Sequence, residues 1–125
     1  ELMPKYLLIL ADAGRGDFVT TVFTSKANGL TEHPACCQGN PRSGYFVGAP
    51  GAPLVVPTWV DFNSVRSLDS YDLRSMVQSG RLSSTNSVLP PEIFCAVLRC
   101  LVGCDAITKA QCRLIQDEIQ RRGCP

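Results

Sequence analysis

The run Tyr6-Leu7-Leu8-Ile9-Leu10-Ala11, apolar at every position and halted by Asp12 and Gly14, sets the strongest limit on the fold. An apolar run this short between breakers suits a strand covered on both faces, with a buried helix as the alternative. The next segment, Phe18-Val19-Thr20-Thr21-Val22-Phe23-Thr24, is rich in β-branched and aromatic residues, and Gly14 and Gly16 lie between the two runs. Such residues fit a pleated surface, so the pair reads as a hairpin with a glycine-bearing loop. The hairpin ends in Thr24-Ser25-Lys26, two hydroxyls and an ammonium where a covered strand meets solvent. Small polar groups at the end of a rigid strand are well placed to build a site.

Downstream, residues 27–53 are rich in Gly, Pro and Asn, and only Gly44-Tyr45-Phe46-Val47-Gly48 has the pattern of a short strand. Long loops of this kind carry function or solvate freely, and this one holds His33, Gln38, Asn40, Arg42 and Tyr45. Leu54-Val55-Val56 and Thr58-Trp59-Val60-Asp61-Phe62 form a bent strand broken at Pro57. Alternation puts Thr58, Val60 and Phe62 on one face, Trp59 and Asp61 on the other.

The chain then turns helical. Asp69 or Ser70 caps a short helix whose inward residues are Leu73, Met76 and Val77, with Gly80 as its stop. Ser83 to Ser87 is a polar connector. Pro90 and Pro91 open a second helix that runs to Gly103, with Glu92 favoured at its positive end. Thr108-Lys109-Ala110-Gln111 is a capping box for a third helix carrying Cys112, Ile115 and Ile119 inward and Arg113, Asp117, Glu118, Arg121 and Arg122 outward, the latter as a solvated face.

Strands precede helices, which points to an α+β fold rather than alternating βαβ units. At 125 residues the chain reads as one domain over 1–125, with strands across about 5–62 and helices across about 69–122. The expected architecture is a small antiparallel β-barrel with two or three C-terminal helices. The net charge of +1 gives no overall pull on nucleic acid or anionic membrane, so any anion site must be local. No apolar run approaches the ~20 residues of a bilayer span. The start at Glu1 rather than Met carries the expectation of a trimmed N-terminus.

Seven cysteines are many for a cytosolic protein, but the odd count and uneven spacing argue against a fully paired secreted scaffold. His33, Cys36 and Cys37 offer three metal ligands without a C-x-x-C partner, so no metal and no cofactor is expected. Cys100 and Cys104 fall in the stripe of Ile93 and Val97 and are expected as buried, unpaired thiols. The chain has no phosphate-binding glycine loop, no H-E-x-x-H and no nucleophile elbow. With one histidine, a paired-histidine mechanism is excluded.

Several segments in order carry a resemblance. Lys5 to Leu10 sits where the MazF/PemK toxin endoribonucleases have Arg-Pro and an apolar strand. Val19 to Lys26, VTTVFTSK, resembles that family's strand ending in Thr-Ser and a polar residue. Trp59 to Asp69 looks like its late strand and turn into a helix, and Leu89 to Leu101 like its closing helix. Together these cover roughly half the chain. Lys5 replaces the family's arginine, Arg15-Gly16-Asp17 offers a competing register for its Gly-Asp motif, and residues 27–53 and the third helix have no counterpart.

The resemblance implies an SH3-like barrel of the CcdB/MazF kind and cleavage of single-stranded RNA by the ribose 2′-hydroxyl, without a metal. Thr24 and Ser25 would bond the phosphate or the attacking hydroxyl, and Lys5 would stabilise charge on phosphorus. Lys26, His33, Arg42 and Tyr45 would contact substrate, with Tyr45 and Trp59 as candidates to stack bases. Ordinary strand-end bonding for Thr24 and Ser25, and a core role for Trp59, are the competing readings. The implied setting is cytoplasmic, off the membrane, with a protein antitoxin as partner, and a homodimer is expected both from the resemblance and from the apolar stripe of Cys112, Ile115 and Ile119 on the third helix. The alternative is a non-catalytic barrel that binds a protein partner, an antitoxin or a topoisomerase-like target.

Overall fold

The computed structural model describes residues 5–14, 16–39, 42–79, 82–83 and 89–125. Three long strands form its centre: β1 (Lys5–Asp12), β2 (Asp17–Thr24) and β5 (Thr58–Asp69). The β1/β2 hairpin folds as its glycines dictate. Gly14 and Gly16 both take positive φ (80° and 78°), and the Asp12 carboxylate accepts the Gly14 N–H at 2.7 Å, closing the turn. Two shorter strands, β3 (Cys36–Gln38) and β4 (Ser43–Gly48), extend the antiparallel sheet beyond β5. A two-residue β6 (Leu82–Ser83) pairs in parallel with Lys5 and Tyr6 at the other edge.

The strand order is β3-β4-β5-β2-β1-β6, and no described pairing joins the two ends. The fold is α+β with a five-stranded antiparallel sheet and three helices, and the sheet stays open where a barrel was expected. Bulges between Ile9 and Ala11, Thr20 and Val22, and Phe46 and Gly48 bend the strands locally, which curves the sheet without closing it.

Three helices, α1 (Ser70–Gln78), α2 (Pro91–Val102) and α3 (Lys109–Arg122), follow the sheet. The caps are those the sequence announced. Asp69 accepts the Asp72 N–H at 2.7 Å, and Thr108 and Gln111 satisfy each other's backbone donors in a complete capping box. The Gly80 stop and the connector beyond Ser83 lie outside the described residues, as does the side chain of Val77.

One face of the sheet packs on α2 and α3 around Leu10, Val19, Val60, Phe62, Val97, Leu98, Leu101 and Ile115. The alternation along β5 holds, and the opposite face has its own small core. Trp59 packs on Phe46 at 5.0 Å between ring centroids and donates its indole N–H to the Thr31 carbonyl. Leu30 folds over Gly44, where a Cβ would lie 2.7 Å from the Val60 carbonyl and 2.9 Å from the Leu30 methyls. Only glycine lets the 27–37 segment lie this close to the sheet.

Several expectations need correction. The strand that was to end near Phe62 runs on to Asp69, because Arg66, Ser67 and Leu68 keep pairing with β2. Leu54-Val55-Val56 is no strand: Gly51 and Leu54 bridge in a tight turn that buries Leu54 and leaves Val55 and Val56 exposed. Cys100 is buried but not free. It pairs with Cys36 across 64 residues, and Cys95 pairs with Cys124 across 29, while Cys37, Cys104 and Cys112 remain thiols. The stripe logic placed Cys100 correctly and missed its partner, because a three-residue strand brings Cys36 under the helix.

Candidate functional site

Two regions collect the chemistry. The first is a cleft of about 410 Å³ lined by β1 from Tyr6 to Ile9, Phe23 of β2, the turn from Pro50 to Leu54, and Leu89, Pro91, Phe94 and Arg122. Its volume falls in the range of small-molecule sites, roughly 300–1,000 Å³. Local chemistry shapes each wall. The turn carries Gly51 at φ 139° and a cis bond before Pro53, with paired hydrogen bonds between Gly51 and Leu54. Pro90 and Pro91 start α2, and the Pro90 carbonyl receives the N–H groups of Ile93 and Phe94, which aims Phe94 into the core edge.

The rim is charged in a specific way. Glu118 is only 7% exposed and receives two guanidinium groups, Arg121 at 2.8 Å and Arg122 at 2.6 Å. The Arg122 guanidinium also lies 4.3 Å from the Phe94 ring centroid, in cation–π geometry. Arg113 and Asp117 are exposed as a solvated face requires. Glu118 departs from that reading because α3 turns it toward the chain, and its two arginines compensate its burial.

The second region holds the residues singled out by sequence. Lys5 opens β1 and Thr24 closes β2. The antiparallel pairing of Leu7 with Val22 sets both positions at the same end of the hairpin. Beyond that, no hydrogen bond or ion pair among the described residues joins these side chains to one another. Thr24 Oγ1 accepts the Lys26 N–H at 3.1 Å in a local turn, the ordinary strand-end role. Ser25, Lys26 and His33 are exposed. Arg42 is tied to Asp61 at 3.0 Å, and Asp61 also receives the Asn63 N–H and the Ser64 hydroxyl. Tyr45 is half-buried against the core, and Trp59 is 6% exposed, so the Trp59 ring serves the core. No cluster of three metal-ligating side chains occurs among the described residues.

Comparison with protein-family models, with curated proteins and with solved structures gave no match. The likeness to MazF/PemK toxins therefore rests on the segments quoted above alone.

Sequence reasoning missed the cleft. Its signals were present as composition, in Ala49-Pro50-Gly51-Ala52-Pro53 and in Leu89-Pro90-Pro91. Such breakers announce turns, not which walls the turns will form.

Proposed function

We propose that this chain is a non-catalytic binding domain that receives an apolar group in the cleft between β1 and the start of α2. One observation carries the reading: the described residues that line the cleft are apolar but for Tyr6 and Arg122, while no described hydrogen bond or ion pair joins the candidate polar side chains to one another. Thr24 closes its own turn and Arg42 holds Asp61. Exposed Ile9 adds apolar surface to the cleft, and Val55 and Val56, also exposed, follow its lining residue Leu54 in sequence. The two disulfides fit a chain that matures in an oxidising compartment rather than the expected cytoplasm. No helix among the described residues is long and apolar enough to cross a membrane.

The test uses N-phenyl-1-naphthylamine, a neutral dye that brightens in apolar surroundings. The purified protein should bind it saturably. Ile9→Arg, at a cleft position that is 45% exposed, should weaken binding at least tenfold while the unfolding transition stays in place. Absence of binding, or binding untouched by Ile9→Arg, removes the reading.

A second reading keeps the metal-independent endoribonuclease, favoured by the shared hairpin end of Lys5 and Thr24. In it the protein cuts single-stranded RNA as a homodimer controlled by an antitoxin. The apolar stripe of α3 no longer argues for that dimer, since Ile115 and Ile119 pack within this chain. Cleavage of RNA in excess EDTA, lost in Thr24→Ala, would put the ribonuclease in place of the binding domain.

A further inference from the structure

We infer that the cleft selects an amphipathic anion, an apolar chain ending in one carboxylate, with Arg122 as the partner of the head group. This rests on the reading of the cleft as a binding site and goes beyond it in naming the ligand's chemistry. Among the described residues that line the cleft, all but Tyr6 and Arg122 are apolar, and Arg122 is the one cation.

Among the described residues its charge is not cancelled: two guanidinium groups share the single Glu118 carboxylate, which leaves one positive charge in excess within this group. Arg122 uses Nε toward Glu118, and among the described residues its two terminal nitrogens donate no hydrogen bond. Those nitrogens form the fork that suits a carboxylate. The guanidinium carbon lies 4.3 Å from the Phe94 ring centroid, an attraction that favours this placement of the fork. Glu118, buried and doubly paired, disfavours a cationic ligand, because such a ligand would have to compete for an acceptor already satisfied.

The wall supplies the other half. Leu8, Phe23, Leu54 and Phe94 give an apolar floor, and exposed Ile9 is a place where a ligand chain would remove hydrocarbon from water. A wholly polar anion would leave that wall wet, and a neutral chain would leave the excess charge unanswered.

The experiment compares displacement of N-phenyl-1-naphthylamine by decanoate and by decanol, at neutral pH and fixed ionic strength, on the full chain. Decanoate should bind at least tenfold more tightly than decanol. Arg122→Gln should weaken decanoate tenfold to a hundredfold, the scale of a lost charge-assisted hydrogen bond, and move decanol less than twofold. Arg121 remains to hold Glu118 in that variant, and Arg122→Lys should restore part of the preference. A merely structural Arg122 would shift both ligands together, which would overturn the inference. Equal binding of the two in the unmutated protein would also overturn it while leaving the apolar cleft intact. If neither the dye nor either ligand binds, both the inference and the proposed function fall.

Discussion

Removing the Cys36–Cys100 bond by Cys36→Ala with Cys100→Ala should cost this fold as much as a large core truncation. The bond ties β3 to α2 across 64 residues. In the chain-entropy account a cross-link restricts the unfolded ensemble more as the loop lengthens, which gives about 4.3 kcal/mol here at 25 °C. The Cys95–Cys124 bond closes 29 residues and gives about 3.6 kcal/mol on the same basis. Cys100 is only 4% exposed, so its truncation adds a small cavity term, whereas native-state relaxation works the other way. The expected loss is about 3–5 kcal/mol, against total stabilities of roughly 5–15 kcal/mol for domains of this kind. Urea unfolding read by Trp59 fluorescence measures it. The slope should also steepen, because the uncross-linked chain exposes more surface when it unfolds. A loss under about 1 kcal/mol with an unchanged slope would refute the reasoning. A non-reducing peptide map in which native Cys36 and Cys100 are both alkylated would do so as well.

Further outcomes follow from particular contacts. Under mild non-reducing conditions Cys37 and Cys112, both half-buried, should alkylate before the buried Cys104, as mass mapping of labelled peptides will show. Asp61→Ala leaves Arg42, the Asn63 N–H and the Ser64 hydroxyl without their acceptor and should lower stability by about 2–4 kcal/mol in urea, with Asp61→Asn losing less. Gly44→Ala should destabilise by about 1–3 kcal/mol, since the added methyl meets the Val60 carbonyl and Leu30; an unchanged midpoint would mean that the 27–37 segment lies off the sheet. Thr108→Ala removes the capping box of α3 and should lower the thermal midpoint by the equivalent of about 1 kcal/mol.

What the sequence determined by itself was local. The glycine turn and β-branched run specify the β1/β2 hairpin, the Thr108 to Gln111 pattern starts α3, and the alternation of Val60 and Phe62 against Trp59 and Asp61 fixes which way β5 faces. Each depends on groups a few residues apart, and backbone sterics and capping act at that range. The tertiary structure decided the rest. It carried β5 past Phe62, because a long partner in β2 continues to offer hydrogen bonds. It left the sheet open, because closure depends on how the edge strands meet and no local pattern encodes that. It paired Cys100 with Cys36, buried Glu118 beneath two arginines that spacing alone assigns to solvent, and drew the walls of the cleft from β1, β2, a proline turn and two helices. Thr24 and Lys5 do share one end of the hairpin, as their strands require. Arg42 is taken up by Asp61 and Tyr45 by the core, contacts set by which faces of the sheet the loops cover.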